Sequence, residues 1–253
     1  GEEALRSRPK ARKRAWTALV HSIDDDTLRS PHEKALTKPS HPREPNKLAR
    51  AQGSVRIIAG RWRSRQVAVP AIEGLRPTPD RVRQTLFDWL QHFWAGQGQD
   101  LSGMRVLDAF AGSGALGFEA ASRGASHVSF LEQHPLASQM LARHIASFQA
   151  AHLQLISGHA LRIMERLNRG VERFDLVLLD PPFASQLHLP AAQLAIPLLS
   201  EAGLLYVESD QCWDEHLRMA NEPARELLTH AFMVLRQAKA GSVHYHLLQK
   251  NSA

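Results

Sequence analysis

The 253-residue sequence has one cysteine, Cys212, and no run of about 18 uninterrupted apolar residues. A single cysteine excludes a disulfide framework within the chain and any zinc or redox site built on a C-x-x-C pair. We therefore expect a fold that depends on its apolar core in a reducing compartment, with no membrane partner. The first residues are basic and then acidic and lack the apolar segment of a signal peptide, so we interpret the chain as cytoplasmic.

Acidic residues are too few to balance the basic ones, which leaves a formal net charge of +6. Most of that excess, a net +5, lies in residues 1–53, which contain five prolines and no sustained apolar periodicity. Such a segment cannot bury enough surface to offset its ordering entropy, so we predict a mostly disordered arm. Two roles stay open for it: an electrostatic contact to RNA phosphates, or a solvated extension without a specific role.

A second basic cluster lies between residues 54 and 83, where seven arginines accompany Glu73 and Asp80. Two β-rich runs, residues 55–59 and 65–69, predict a hairpin whose tip is basic and contains a tryptophan. Such a tip suits phosphate contact and base stacking, and the alternative is an edge hairpin whose arginines deter aggregation. The residues assigned to RNA contact are Arg56, Arg61, Trp62, Arg63, Arg65 and Arg83.

From Met104 onward, apolar runs alternate with helical stretches. The runs are nearly continuous in apolar residues, as strands buried on both faces are. This pattern predicts an α/β, Rossmann-like fold with a mostly parallel, doubly wound sheet. Residues 232–235 and 243–248 predict an antiparallel edge pair at its end.

One helix is predicted ahead of this sheet, with Thr78 as its N-cap and Pro79 at its first position. Its apolar face should dock on the core. We accordingly divide the chain into the arm, residues 1–53, and one folded domain, residues 54–253. Within that domain, residues 54–75 form the basic hairpin extension, and residues 76–253 form the helix and the sheet core.

Ligands of open α/β sheets bind outside the carboxyl ends of the strands. Asp108 ends the first apolar run and leads into a glycine-rich turn at residues 112–117, with Glu132 about 20 residues beyond it, so a nicotinamide or flavin dinucleotide is a competing ligand. A carboxylate beside the turn is unfavourable near a pyrophosphate and favourable near S-adenosylmethionine (SAM), which carries an ammonium and a sulfonium. Charge therefore favours SAM, with Glu132 accepting hydrogen bonds from the ribose hydroxyls.

The run at residues 174–179 is followed by Asp180-Pro181-Pro182-Phe183. Two prolines end a strand in a stiff turn, and strand termination is the purely structural interpretation. The chemical interpretation is that a carboxylate oxygen of Asp180 and the carbonyl of Pro181 each accept one hydrogen of an exocyclic amine. This directs the nitrogen lone pair at a methyl group while Phe183 stacks on the base. We assign catalysis to these four residues.

From Ser54 onward the sequence resembles the RsmD-type family of bacterial 16S rRNA guanine-N2 methyltransferases. The likeness rests on V-R-I-I-A-G-R-W-R, L-R-P-T-P-D-R-V-R-Q-T-L-F-D-W-L, D-A-F-A-G-S-G-A-L-G, D-P-P-F and Y-V-E-S. It implies SAM as the cofactor, a guanine of 16S rRNA as the target, and Arg76, Thr78 and Arg83 near the cofactor and target pocket. The chain departs from the family pattern at Gln84, where the family has Glu, and at His159, where Asp or Asn usually contacts the adenine amine.

The motifs and the resemblance together define the expected cofactor site. Its residues are Arg76, Thr78, Asp108, Phe110, Gly112, Ser113, Gly114, Glu132, Gln133, His159, Ala160 and Asp180. The 14 histidines are scattered without ligand spacing, and we expect no metal. Glu208 is either a structural acid or a substrate contact.

The partner expected for a monomeric chain is 16S rRNA, the 30S subunit or an assembly intermediate. Two other functions stay open: a DNA amino-methyltransferase acting on adenine or cytosine, and a non-catalytic RNA-binding factor in ribosome assembly.

Overall fold

The computed structural model describes residues 51–252, so nearly all of the predicted arm lies outside the described residues. The first described element is a hairpin of β1 (Ala51–Arg56) and β2 (Gln66–Pro70), which pair antiparallel with Val55 opposite Val67. Strand β1 begins at Ala51, three residues before the predicted boundary at residue 54.

The tip of this hairpin packs on the core, and the prediction that Trp62 is exposed for base stacking is wrong. Its side chain is only 5% exposed, and its ring lies 4.3 Å from that of Phe148 between centroids. Arg61 N donates to the carbonyl of Ser122 and Trp62 N donates to the Ser122 hydroxyl. Burial of the large indole ring and these hydrogen bonds hold the tip against the domain.

A seven-stranded sheet forms the centre of the domain and confirms the predicted fold class. Its order is β5-β4-β3-β6-β7-β9-β8, parallel from β5 to β7 and antiparallel at β9 and β8. The strands are β3 (Arg105–Asp108), β4 (His127–Glu132), β5 (Leu153–Ser157), β6 (Phe174–Leu179), β7 (Leu199–Ser209), β8 (Phe232–Ala240) and β9 (Val243–Lys250). The strand order reverses between β3 and β6, where such sheets bind ligands.

Seven α-helices surround this sheet in the described chain. They are α1 (Asp80–Ala95), α2 (Ala115–Ser122), α3 (Pro135–Phe148), α4 (Ala160–Asn168), α5 (His188–Leu198), α6 (Trp213–Met219) and α7 (Glu222–Ala231). Helix α1 buries Val82, Leu86 and Leu90, and Trp89 stacks on Tyr245 of β9, so the predicted docking is observed. None of the helices in residues 51–252 is long and apolar enough to cross a bilayer.

The start of α1 differs from the prediction. The helix begins at Asp80 with Pro79 as its N-cap residue, and no side chain caps it. The hydroxyl of Thr78 is instead directed at two carboxyl groups at the ends of strands β6 and β7. Thr78 is therefore not a capping residue.

Candidate functional site

Two acidic residues lie at the carboxyl ends of neighbouring strands, at the point where the strand order reverses. Asp108 ends β3, and Asp180 follows directly after β6, the strand paired with β3. The register sets Asp108 beside Leu178, and Ala109 N donates to the carbonyl of Leu178. The carboxyl ends of β3 and β6 therefore bring the glycine-rich turn and the Asp-Pro-Pro-Phe segment to one edge of the sheet.

The glycine-rich turn is held by Glu132, at the end of β4. Its Oε2 accepts from Gly112 N at 2.8 Å and its Oε1 accepts from His134 N at 2.9 Å. Each carboxylate oxygen retains capacity to accept a further hydrogen bond. Glu132 thus fixes the turn, and its remaining acceptor sites are available to a bound ligand.

Residue 117 must be glycine because there is no room for a side chain at this position. A Cβ built there would lie 2.3 Å from the Phe130 ring and 3.0 Å from Asp108 Oδ2. Without a side chain at this position, Gly117 N donates to the same oxygen at 3.0 Å. The start of α2 can therefore approach Asp108 closely, and the amide partly stabilises its charge.

Burial raises the pKa of Asp108 from 3.8 to about 7, with a smaller rise from the charge of Glu132, and the Gly117 amide opposes both. Within residues 51–252, the lysine and arginine ion pairs involve other acids, and none of them includes Asp108. A buried carboxylate without a cation favours a positively charged ligand, because such a ligand would remove the electrostatic cost of its ionisation.

The carboxyl group of Asp180 is linked to a second acid, Glu208 of β7, through Thr78. The Thr78 hydroxyl lies 2.9 Å from Glu208 Oε2 and 3.3 Å from Asp180 Oδ2. The Tyr206 hydroxyl donates to the same Glu208 oxygen at 2.9 Å. Burial raises the pKa of Asp180 well above its usual value, and the charges of Glu208 and Asp108 raise it further.

The Asp-Pro-Pro-Phe segment is partly accessible at this edge. Pro181 is buried, Pro182 is exposed, and Asp180 and Phe183 are half-buried. Phe183 begins a short 3₁₀ turn (Phe183–Ser185). This exposure is compatible with a planar base reaching the Asp180 carboxyl group and the Phe183 ring.

The remaining predicted cofactor residues lie in the loops that follow β2, β3, β4 and β5, except Ala160, which is the first residue of α4. Ser113, Gly114 and Ala160 are buried, Phe110 is half-buried, and Arg76, Gln133 and His159 are exposed. His159 is the N-cap residue of α4 without a capping side-chain bond. A cavity of about 600 Å³ lies between the start of β1 and residues 71–77, and Arg76 is part of its wall.

Arg83 is fully buried, so its assignment to RNA contact is wrong. Its guanidinium group donates to the carbonyl oxygens of Arg56 and Thr78 and forms ion pairs with Asp80 and Glu119. A buried charge must be paired, and the acid of α2 supplies the partner. Arg83 therefore fixes the segment that carries Thr78.

Sequence reasoning missed Glu119 and Tyr206. The Glu119 carboxylate, also fully buried, accepts from the backbone N–H groups of Ile58 and Ala59 and from Arg123. An acidic residue within the otherwise apolar helix Ala115–Ser122 was the available sequence evidence for a buried pair. Tyr206 begins the Y-V-E-S motif, but it lies within the apolar run at residues 204–207, and that pattern did not indicate a hydrogen bond to Glu208.

Four of the arginines assigned to RNA contact, Arg56, Arg61, Arg63 and Arg65, are exposed on the hairpin. The Arg65 guanidinium lies 3.9 Å from the centroid of the Phe148 ring, which orients it at the surface.

In the described part of the chain, no cluster of three or more His, Cys, Asp or Glu residues could hold a metal ion.

The chain matches known proteins over most of its folded part. Residues 55–249 match the family model described as Conserved hypothetical protein 95. Ribosomal RNA small subunit methyltransferase D of Haemophilus influenzae is 37% identical over 208 residues, which are 79% of this chain and 95% of that relative. The protein of the same name from Escherichia coli is 33% identical over 223 residues, 86% of this chain and 96% of that relative. A solved Escherichia coli protein, yhhF, described as a candidate methyltransferase, is 32% identical with a TM-score of 0.62, covering 79% of this chain and 100% of its own.

Proposed function

The chain belongs to the RsmD family, whose model is described as Conserved hypothetical protein 95, and from that membership we propose that it methylates small-subunit rRNA with SAM. The target we propose is the exocyclic N2 amine of a guanine. The observation that carries the proposal is the position of Asp108 and Asp180 at the carboxyl ends of the neighbouring strands β3 and β6. One carboxylate suits a cationic cofactor, and the other suits an amine with two hydrogens.

The charge of the pocket supports SAM over a dinucleotide. Asp108 and Glu132 both present carboxylates at the glycine-rich turn, and a pyrophosphate there would face repulsion from both. Their charges complement the ammonium and sulfonium of SAM, and Glu132 has acceptor capacity left for ribose hydroxyls. When bound, SAM supplies an electrophilic methyl group.

Asp180 and Pro181 are proposed to orient the amine. A carboxylate oxygen of Asp180 and the carbonyl of Pro181 each accept one amine hydrogen, so the nitrogen lone pair is directed away from the ring and toward the methyl group. The nitrogen would accept the methyl group that bound SAM would supply, the sulfur would keep the electrons of the C–S bond, and Asp180 would take the proton that the nitrogen releases. Phe183 holds the base by stacking.

Exposed arginines of the hairpin support RNA as the substrate. Arg61, Arg63 and Arg65 stand on the same turn, and they can neutralise phosphates without reading sequence. The names of the two relatives assign those proteins to small-subunit ribosomal RNA. The guanine N2 position is the most specific part of the proposal, and it rests on the resemblance of the motifs to those of the family.

The test is methyl transfer from labelled SAM to 30S subunits and to free 16S rRNA, both from cells lacking this protein. Mass spectrometry of the nucleosides should find one N2-methylguanine. Asp180→Ala should lower the rate on the order of 100-fold while SAM affinity stays within about twofold, because the main role proposed for Asp180 is to hold the amine, although it also borders the expected cofactor site. Asp88→Ala, on the exposed face of α1, is the matched control.

Three results would contradict the proposal. Methylation of duplex DNA in place of RNA would favour the DNA amino-methyltransferase. Binding to RNA without any transfer would favour an assembly factor. Full activity of Asp180→Ala would remove the catalytic role of the Asp-Pro-Pro-Phe segment.

A further inference from the structure

Three side chains connect Asp180 to the interior of the sheet. Thr78 stands between the Asp180 and Glu208 carboxyl groups, and the Tyr206 hydroxyl reaches the far side of Glu208. Thr78 and Glu208 are nearly inaccessible to solvent, at 5% and 4% exposure. Glu208 cannot reach a substrate directly, and Thr78 provides its hydrogen-bonded connection to Asp180.

The effect of these hydrogen bonds on Asp180 depends on which group donates the proton in each of them. The Thr78 hydroxyl has one proton, and two carboxylates compete for it. If Glu208 were ionised, it would retain that proton, because its oxygen is nearer, at 2.9 Å against 3.3 Å for Asp180. Asp180 would then lose its only side-chain donor among the described residues.

We infer that Glu208 acts as a protonated positioning residue: it donates its proton to Thr78, and the Thr78 hydroxyl in turn donates to Asp180. The Tyr206 hydroxyl donates to Glu208, so each hydrogen bond from Tyr206 to Asp180 is donated in the same direction. This arrangement holds one oxygen of Asp180 in place and leaves the other to accept the amine hydrogen. The inference rests on the proposed function, because its purpose is to orient Asp180 toward an amine.

Asp180 and Glu208 are two buried acids, and the charge on either one raises the pKa of the other, so the pair retains one proton. The proposed reaction needs Asp180 as an acceptor, which assigns that proton to Glu208. Burial raises the pKa of Glu208, and the Tyr206 and Thr78 hydroxyls only partly oppose that rise. The titratable groups on neighbouring elements are Asp180 directly after β6, Tyr245 of β9, which pairs with Glu208, and His188 of α5. His188 Nε2 lies 3.1 Å from the Glu208 carbonyl oxygen, and burial lowers its pKa to about 4, so it supplies no positive charge at neutral pH.

A purely structural acid would have a different signature. If Glu208 only filled the end of β7, its replacement would change stability and leave the rate of the folded protein unchanged. A positioning role predicts instead a loss of kcat with an unchanged KM for SAM. It also predicts rescue by an amide, which can donate to Thr78 as the acid does.

The variants are Glu208→Ala, Glu208→Gln, Thr78→Val and Thr78→Ser, assayed by methyl transfer to 30S subunits. Glu208→Ala and Thr78→Val should each lower kcat about 10- to 100-fold, the factor expected for one hydrogen bond to a charged group. Glu208→Gln and Thr78→Ser should recover most of that loss. Combining Thr78→Val with Glu208→Ala should cost little more than either change alone, because both interrupt the same chain.

The pH profile gives a second readout. The wild-type kcat should fall at high pH as Glu208 loses its proton, and this fall should be absent in Glu208→Gln. Thr85→Val at a half-buried position of α1 and Glu226→Gln at an exposed position of α7 control for the loss of a hydroxyl or a charge elsewhere.

Infrared spectroscopy tests the proton without requiring activity. The spectrum of the wild type minus that of Glu208→Gln at pH 7 should contain the C=O stretch of a protonated carboxylic acid. Its absence would overturn the inference, as would a Thr78→Val enzyme with parental kcat. A protein that shows this band but transfers no methyl group to RNA would leave Glu208 protonated and refute the proposed function instead.

Discussion

The affinity for SAM is expected to rise with pH and to level off above about pH 8. Asp108 attracts a cation only when it is ionised, and burial raises the pKa of its carboxyl group to about 7. A bound cation favours the charged form of Asp108, so binding should also expel the proton that this group holds at lower pH. Cofactor affinity and proton release therefore report on the same residue.

The magnitude follows from that pKa. The ionised fraction of a group with a pKa near 7 is about one tenth at pH 6 and about nine tenths at pH 8, so the Kd should fall about tenfold between these values. Around pH 7, about half a proton should leave for each SAM bound.

Calorimetry measures both quantities. The Kd is determined at several pH values, and the proton release comes from repeating the titration in two buffers with different ionisation heats. Because the amine of SAM also titrates, Asp108→Asn is the control: its affinity should be weaker at pH 8 and its residual pH dependence should belong to the ligand alone. If Asp108→Asn binds SAM as tightly as the parent at pH 8 and shows the same pH dependence, Asp108 does not face the cation.

The same pKa also predicts the pH dependence of stability in the free protein. A carboxyl group whose pKa is raised by folding binds more protons in the folded state than in the unfolded chain. Its contribution to stability is therefore lost as the pH rises from the unfolded value of 3.8 toward about 7. Asp108→Asn should flatten this part of the profile in urea unfolding, by about 4 kcal/mol at most.

Four further changes test the hairpin and the cofactor turn. Gly60→Ala should destabilise the protein by roughly 2 kcal/mol or more in urea unfolding, because its Cβ would lie 2.0 Å from the Ser122 carbonyl oxygen. Trp62→Ala should cost about 3 to 5 kcal/mol by the same assay, and an unchanged midpoint would contradict its burial. Arg83→Met should cost about 3 kcal/mol by leaving buried Glu119 with fewer partners, whereas Arg63→Met on the exposed tip should leave the midpoint unchanged. Glu132→Ala should weaken SAM binding in calorimetry by about 1.5 to 3 kcal/mol, and parental affinity would contradict the ribose contact.

The main elements of the sheet could be predicted because their determinants are local. Each buried strand is a nearly continuous apolar run, and the residues that end the runs are polar or acidic. Parallel strands carry their carboxyl ends to one edge, so Asp108, Glu132 and Asp180 could be expected to lie near one another before any coordinates were known.

The contacts of some residues could not be predicted because their partners are distant in sequence. Thr78 has the sequence position of a helix cap, but its hydroxyl bonds to Glu208, 130 residues away. Arg83 resembles the neighbouring surface arginines in sequence, and only the packing of α1 against α2 encloses it with Glu119. Trp62 follows a hairpin pattern that predicts an exposed tip, and the contact with Phe148 of α3 reverses that expectation.

Periodicity and backbone sterics act over a few residues, so the order of the strands and helices, the glycine-rich turn and the acids that end the strands could be predicted from the sequence. Which charged groups are buried became known only from the packed fold. Burial depends on elements that meet from distant parts of the chain, and the desolvation of Asp108, Asp180 and Glu208 exists only once those elements have packed.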